Sequence, residues 1–246
     1  MTLSVLINLI LIIILLVCAW QGFRKGVIAG LAEMLAVLIA LLGAGMLSDA
    51  FSYEIVDAAE PFVSGYMDDK IAVCVYEELG LEPDDNGEYH PGVSLADLLA
   101  ESPDVVRPAA VRSLQAAGFY SSLSDSLADD VVTYMQSSGA DLVDAVVYVI
   151  CSTGAWFIGY AIAFFLLLAV LLILLNITNL GFRFPYIGLV NEIAGLIVGI
   201  VLGMLVCSVL MWMVQYCGLL LPESKLAGSG VAQSIWQKNL LANWLS

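Results

Sequence analysis

Three polar side chains stand within or at the edge of long apolar runs of this sequence: Glu33, Asn191 and Glu192. An acid at membrane depth is costly to bury, so it is a candidate for carrying ions or protons. All three also lie within about two helical turns of a short turn that contains basic residues, where a carboxylate can reach water or form an ion pair. Two interpretations stay open: a structural role near the membrane surface, or an ion or proton path that uses Glu33 and Glu192.

A second group of oxygen-bearing side chains lies between two turn-forming segments. Glu82, Asp84, Asn86 and Gly87 have part of the spacing of a calcium-binding loop. Val93 stands where such a loop needs a bidentate glutamate, so we interpret the segment as a turn rich in solvated acids.

The sequence shows no recognisable arrangement of residues for catalysis or metal binding. His90 is the only histidine, and no serine or cysteine stands in a recognisable nucleophile motif. The five cysteines do not have metal-ligand spacing, and no glycine-rich phosphate loop is present. We therefore predict a protein that is not an enzyme and that has no catalytic residue, no metal ligand and no cofactor-binding residue.

Glycine recurs at intervals of four residues in two places. The two sets are Gly22, Gly26 and Gly30, and Gly195, Gly199 and Gly203. This GxxxG spacing places each set on one helix face, where the absence of side chains allows another backbone to approach closely. Ordinary packing within one helix bundle, self-association and close approach to a ligand all remain open.

Composition predicts that these elements lie in a membrane. The chain has 246 residues, of which 61% are hydrophobic and 13% are charged, and its mean hydropathy is +0.95. Apolar runs of about 20 residues must be helices in a bilayer, because every backbone polar group has to be satisfied within the segment. We predict an all-α integral membrane protein with four transmembrane helices in two hairpins. The first hairpin is 1–47, with spans at about 3–19 and 27–47, and the second is 145–221, with spans at about 148–175 and 193–221.

The segment between the hairpins, residues 48–144, holds 20 of the 23 acidic residues and only three basic ones. A nucleic-acid partner is excluded because phosphate binding needs a basic face. We predict that this segment is a mostly helical insertion outside the cytoplasm.

Local signals place helix ends and turns within the insertion. Pro61 is among the predicted turn markers, and the spacing from Ser94 to Asp97 is typical of a capping box at a helix start. Pro103 is placed to begin a helix and Gly118 to end one.

The basic residues decide the predicted orientation. Arg24 and Lys25 lie in the first short turn and Arg183 lies in the second, so both turns are predicted to face the cytoplasm. The N-terminus, the insertion and the tail at 222–246 then lie outside. The tail contains tryptophans typical of a membrane interface.

Two motifs carry a resemblance to a known family. They are Gly22-Phe23-Arg24-Lys25-Gly26 and Gly188-Leu189-Val190-Asn191-Glu192-Ile193-Ala194-Gly195-Leu196-Ile197-Val198-Gly199. Together with the four spans and the tryptophan-bearing tail, they resemble the CvpA (colicin V production protein) family. Glu192 departs from the family pattern, in which an arginine often occupies this position.

The resemblance implies an integral protein of the bacterial inner or plasma membrane that supports toxin production or secretion and envelope homeostasis, without enzymatic activity. The alternative from the residues themselves is a small oligomeric transporter or channel that uses Glu33 and Glu192. The lipid bilayer is the expected surrounding, and a second copy of the chain or another membrane protein is the partner left open.

Overall fold

The computed structural model describes residues 3–51, 53–84, 88–89, 92–177 and 188–216. Within these ranges the regular secondary structure is helical, and they contain no β-strand. The helices are α1 (Leu3–Lys25), α2 (Val27–Phe51), α3 (Tyr53–Glu78), α4 (Leu95–Glu101), α5 (Val106–Ala116), α6 (Ser121–Ser138), α7 (Leu142–Ile177) and α8 (Gly188–Val214), with a 3-10 turn at Pro103–Val105. The predicted all-α class is confirmed.

Four of these helices, α1, α2, α7 and α8, are long and apolar enough to cross a membrane. Their apolar side chains are largely exposed in the isolated chain, for example Leu16 at 59% and Ile197 at 58%. Side chains of this kind on a helix that satisfies its own backbone are suited to contact with lipid. The membrane class predicted from composition therefore agrees with the structure.

The first short turn is much shorter than predicted. Residues 20–25 are helical, and only Gly26 separates α1 from α2. The Gly26 N–H donates to the Gly22 carbonyl at 2.9 Å, and the Gly30 N–H donates to the Gly26 carbonyl at 3.1 Å. Helical hydrogen bonds thus continue up to the break on both sides, and the interruption is a single residue with φ +82°.

The other spans also differ from their predicted limits. Helix α7 begins at Leu142 and has 36 residues, a length of about 54 Å against about 30 Å for the bilayer hydrocarbon. Helix α8 begins at Gly188 and ends at Val214. The second short turn lies outside the described residues beyond Ile177, where α7 ends. The tail at 222–246 also lies outside them.

The chain divides into two compact units. The first comprises the described residues up to Ser48 and from Gly159 to Val214, and the second comprises those from Asp49 to Ile158 with Gln215 and Tyr216. The predicted insertion ended at residue 144, whereas the second unit also includes the beginning of α7. The reason is packing, because apolar side chains of that part of α7 belong to the core of the unit.

The core of the second unit is formed by α3, α5, α6 and the start of α7. Its fully buried members include Ile71, Val75, Leu114, Val131 and Val146. The predicted helix start is confirmed, since Ser94 is the N-cap of α4 and its Oγ accepts a hydrogen bond from the Asp97 N–H at 3.2 Å.

The predicted helix ends around α5 agree with the structure, but one turn marker is wrong. Pro103 opens the 3-10 turn that leads into α5, and Gly118, with φ +102°, follows its end. Pro61, in contrast, lies inside α3. The helix continues past it because Val56 and Met67, on either side, are buried in the same core, and this burial offsets the missing hydrogen bond.

Candidate functional site

Within the first unit, α1 and α8 run antiparallel in close contact. Residues closer to the start of α1 contact residues closer to the end of α8. In order, the contacts are Gly22 with Gly195, Cys18 with Gly199, Leu15 with Gly203, and Leu11 with Cys207. The last is a hydrogen bond from the Cys207 Sγ to the Leu11 carbonyl, at 3.6 Å.

The glycines of this contact have no room for a side chain. A Cβ atom on Gly22 would lie 2.8 Å from the Cα of Gly199, and one on Gly195 would lie 2.8 Å from the Gly26 carbonyl carbon. A Cβ on Gly199 would lie 3.1 Å from the Cα of Ala19. Since the neighbouring atoms are backbone, they cannot rotate away. The small residues let the two helices approach with backbone against backbone.

The break at Gly26 is completed by a side chain from α8. Gly26 has φ +82°, a conformation that L side chains rarely adopt, and a Cβ there would lie 2.9 Å from the Cγ of Asn191. The Asn191 Oδ1 accepts a hydrogen bond from the Val27 N–H at 3.1 Å. Asn191 therefore supplies, from a distant helix, the N-terminal cap that α2 lacks in its own sequence.

Of the two candidate intramembrane acids, Glu33 has a basic partner. The Lys25 ammonium forms an ion pair with Glu33 and also donates to the Gln21 Oε1 at 3.4 Å. The Glu33 side chain is 16% exposed, so the pair is sheltered on the acidic side. Glu192 is exposed. The last glycine of the first set, Gly30, faces Val198 of α8, and a Cβ there would lie 3.0 Å from a Val198 methyl carbon.

A cavity of about 880 Å³ lies in the first unit next to this ion pair. Its lining comes from α1, α2, α7 and α8 and includes Arg24, Lys25 and Glu33, but not Glu192. The structure thus brings together the basic residues of the first turn and one of the two candidate acids. Arg183, the third basic residue on which the predicted orientation rests, lies outside the described residues.

The sequence interpretation missed several lining residues. Gln21 and Asn176 add polar groups to the cavity, and Trp20 adds an exposed ring. The only sequence signal that could have identified these residues is their position, because each lies at the polar end of an apolar run. Their common cavity has no local sequence signature, because it depends on how distant helices meet.

A buried aromatic cluster also went unpredicted. Tyr160 of α7 is fully buried, and its hydroxyl donates to the Leu41 carbonyl of α2 at 3.3 Å. Its ring packs edge-on against Trp212 of α8, with centroids 5.1 Å apart. This tyrosine links three helices of the first unit, and its polar tip is satisfied as a buried hydroxyl requires.

The acidic turn is closed by hydrogen bonds between Asp84 and Glu88. The Asp84 carboxylate accepts the Glu88 N–H at 2.9 Å, and the Glu82 side chain is exposed. Asn86, Gly87 and His90 lie outside the described residues. In the ranges the structure describes, no group of three or more His, Cys, Asp and Glu side chains could hold a metal ion.

In the second unit, the two arginines of α5 connect neighbouring helices. The Arg107 Nε donates to Asp129 of α6 at 2.8 Å, and the Arg112 Nη1 donates to Glu77 of α3 at 2.8 Å. The hydrogen bond from Arg107 lowers the pKa of Asp129. Burial, and then the charge of Asp129, raise the pKa of the neighbouring Asp130. Two of the three basic residues between positions 48 and 144 thus pair with acids of neighbouring helices.

Comparisons with family models, with curated proteins and with solved structures give no match to this chain.

Proposed function

We propose that this chain is a non-enzymatic, CvpA-like protein of a bacterial inner or plasma membrane that supports toxin production or secretion and envelope homeostasis. Four apolar helices support the membrane location, and the two quoted motifs support the family resemblance. The lipid bilayer surrounds the first unit, and a second copy or another membrane protein is the proposed partner.

The observation that carries this proposal is that the two motifs meet. Gly22 and Gly26 of the first motif contact Gly195 and Asn191 of the second, although they are far apart in the chain. The glycines pack the two helices together and Asn191 caps the start of α2, so the spacing of both motifs has a physical reason. A chance resemblance between apolar segments would not require this juxtaposition.

We also propose the finer topology of two hairpins, with both short turns in the cytoplasm. Each hairpin places its helices in opposite directions, so α1 and α8 should also be antiparallel. Their contacts run in this sense. The positions of Arg24 and Lys25 at the end of α1 support a cytoplasmic first turn, and the second unit would then lie outside.

Genetic complementation tests the function. We expect expression of this chain to restore export of a colicin V-type toxin in a bacterium whose own CvpA-family gene is deleted. The Gly199→Leu variant should restore little, because its side chain would meet the Cys18 and Ala19 backbone. Gly154→Leu is the matched control, because nothing lies within 4 Å of a Cβ at that position. The proposal would be refuted if the wild-type chain, inserted in the membrane, restored neither toxin export nor the envelope-stress resistance of the deletion strain.

The cavity favours a second candidate function, a small oligomeric transporter or channel. A sheltered acid beside a cavity between helices is an arrangement suited to ion or proton movement. In proteoliposomes, Glu33→Gln should then abolish an ion or proton flux. Because Glu192 is exposed outside the cavity lining, Glu192→Gln should have a smaller effect. Absence of flux from the wild-type protein across a range of ions would exclude this function.

A further inference from the structure

The cavity of the first unit changes from polar to apolar along its length. Its polar end contains Gln21, Arg24 and Asn176, near the ends of α1 and α7. From there the lining follows α2 to Val37 and α7 back to Leu168, which are about 15 Å and 12 Å along their helices from the polar end. One charged end and one apolar end match the head and tail of an amphiphile.

Among the described residues, the polar end holds one more cation than its ion pair neutralises. Lys25 is paired with Glu33, and the two charges cancel. Arg24 is exposed, lines the cavity and has no ion pair with any residue in the described ranges. The charged lining residues therefore leave a net positive charge at the polar end. Such a site favours an anionic headgroup, and an arginine can bind a phosphate with two parallel hydrogen bonds.

The cavity is also reachable from the side that faces lipid. Trp20 is 62% exposed and Ile173 is 59% exposed, and both line the cavity. Because α1 and α7 are membrane-spanning candidates, these exposed surfaces would face lipid, with Ile173 toward the acyl chains and Trp20, near the end of α1, toward the headgroups. The most abundant amphiphile at this position is a phospholipid of the surrounding bilayer.

We propose that this cavity binds an anionic phospholipid, with its phosphate on Arg24 and one acyl chain along Val37, Leu168 and Leu172. Trp20, one helical turn before Arg24 on α1, would then have its indole at the headgroup end, as interfacial tryptophans do. The Lys25–Glu33 pair keeps the floor of the headgroup site neutral, so Arg24 determines the preference for an anion. A zwitterionic headgroup carries a cation that Arg24 repels, so a zwitterionic lipid should bind more weakly.

Competition between two lipids tests the proposal. The purified full chain is incubated with phosphatidylglycerol and phosphatidylcholine that have identical acyl chains, and the retained lipid is measured by native mass spectrometry. We expect the wild type to retain phosphatidylglycerol preferentially. Arg24→Gln should reduce this preference about fivefold, the effect of one basic residue at a membrane surface. Arg24→Lys should keep most of it, and Lys70→Gln in α3, which removes the same charge elsewhere, should leave it unchanged.

A variant in the apolar part separates the tail from the head. Leu168→Phe adds three carbons to the lining of the cavity along the assigned acyl chain. It should lower retention of both lipids while the residual preference for phosphatidylglycerol persists. Equal retention of the two lipids by the wild type, or an unchanged preference in Arg24→Gln, would overturn the proposal.

A third measurement does not depend on any variant. Phosphatidylglycerol with a photoreactive acyl chain should label the wild-type α7 peptide that contains Leu168 and Leu172. Labelling confined to other helices would overturn the assigned site. If lipid extracted from the purified protein is a free fatty acid rather than a phospholipid, the assigned ligand is wrong.

Discussion

At the residue scale, two of the three polar residues at the edge of the membrane segments, Asn191 and Glu33, have structural partners. The Asn191 side chain accepts the Val27 N–H, which no residue of its own helix could accept. Its position opposite Gly26 also explains why this glycine cannot be replaced without strain. The sequence identified Asn191 only as a polar residue at the start of a span, and the structure gives it the role of capping the start of α2.

Asn191→Ala should destabilise the first unit by about 1–2 kcal/mol, because a sheltered N–H loses its acceptor. The adjacent Glu192→Gln is the control: its side chain is exposed, so unfolding should change by less than about 0.5 kcal/mol. Both values can be measured by denaturant unfolding in mixed micelles. Equal stability of Asn191→Ala and the wild type would show that water or another group replaces the cap.

At the scale of helices, the contact between α1 and α8 depends on the absence of side chains. The two helices approach through Gly22, Gly195 and Gly199, whose hypothetical Cβ atoms would collide with backbone. Without a hydrophobic driving force between helices in lipid, such close packing is a main source of association. The glycine spacing therefore has a specific partner in the same chain.

Two matched glycine substitutions test this contact. Gly199→Ala should destabilise the protein by about 1–3 kcal/mol, the usual cost of forcing an extra methyl group into a packed site. Gly154→Ala in α7 adds the same methyl group where nothing lies within 4 Å, so it should be neutral or slightly stabilising. Thermal unfolding in detergent compares them, and equal stability of the two variants would contradict the close approach of α1 and α8.

In the second unit, the ion pair between α5 and α6 makes a pH-dependent contribution. The folded-state pKa of Asp129 lies below its usual value of 3.8 because of the hydrogen bond from Arg107. The pair therefore stabilises the folded state above the unfolded pKa, and this contribution is lost as the pH falls through the folded pKa.

Arg107→Gln should lower the melting temperature slightly at pH 7, by at most about 3 °C, since both side chains are exposed. The difference from the wild type should shrink as the pH falls below 3.8 and disappear below the folded-state pKa of Asp129. Asp129→Asn is the control, and adding Arg107→Gln to it should have no further effect. A difference that persists at low pH would assign the loss to packing of the arginine side chain instead.

At the scale of the whole molecule, the side of the membrane on which the second unit lies is testable by labelling. The native Cys74 is a poor target because it is only 8% exposed and burial raises the pKa of its thiol. Ser126 in α6 is exposed and can be replaced without disturbing the core.

In a background without native cysteines, Ser126→Cys should react with an impermeant maleimide on intact cells. Thr133→Cys, also exposed on α6, should react equally. Labelling that requires lysed cells would place the second unit in the cytoplasm and reverse the proposed topology.

The sequence identified many residues of the candidate site but not the contacts between them. Glu33, Lys25 and the two glycine sets are visible in the sequence because a charge or a repeated glycine stands out in an apolar run. The cap by Asn191 and the cavity beside Arg24 are not visible, because each requires helices that are distant in the chain. Pro61 shows the opposite error, since its local turn signal is overridden by burial on both sides.

The sequence by itself determined the helical class, the four candidate spans and the concentration of acid between them. These properties follow from local composition, because a bilayer admits only apolar segments that satisfy their own backbone. Only the tertiary structure decided that α8 packs on α1, that Gly26 alone separates α1 from α2, and that the start of α7 belongs to the second unit. The physical reason is that helix pairing depends on surface shape and on single polar contacts, and apolar helices of similar composition do not encode their partners in any local pattern.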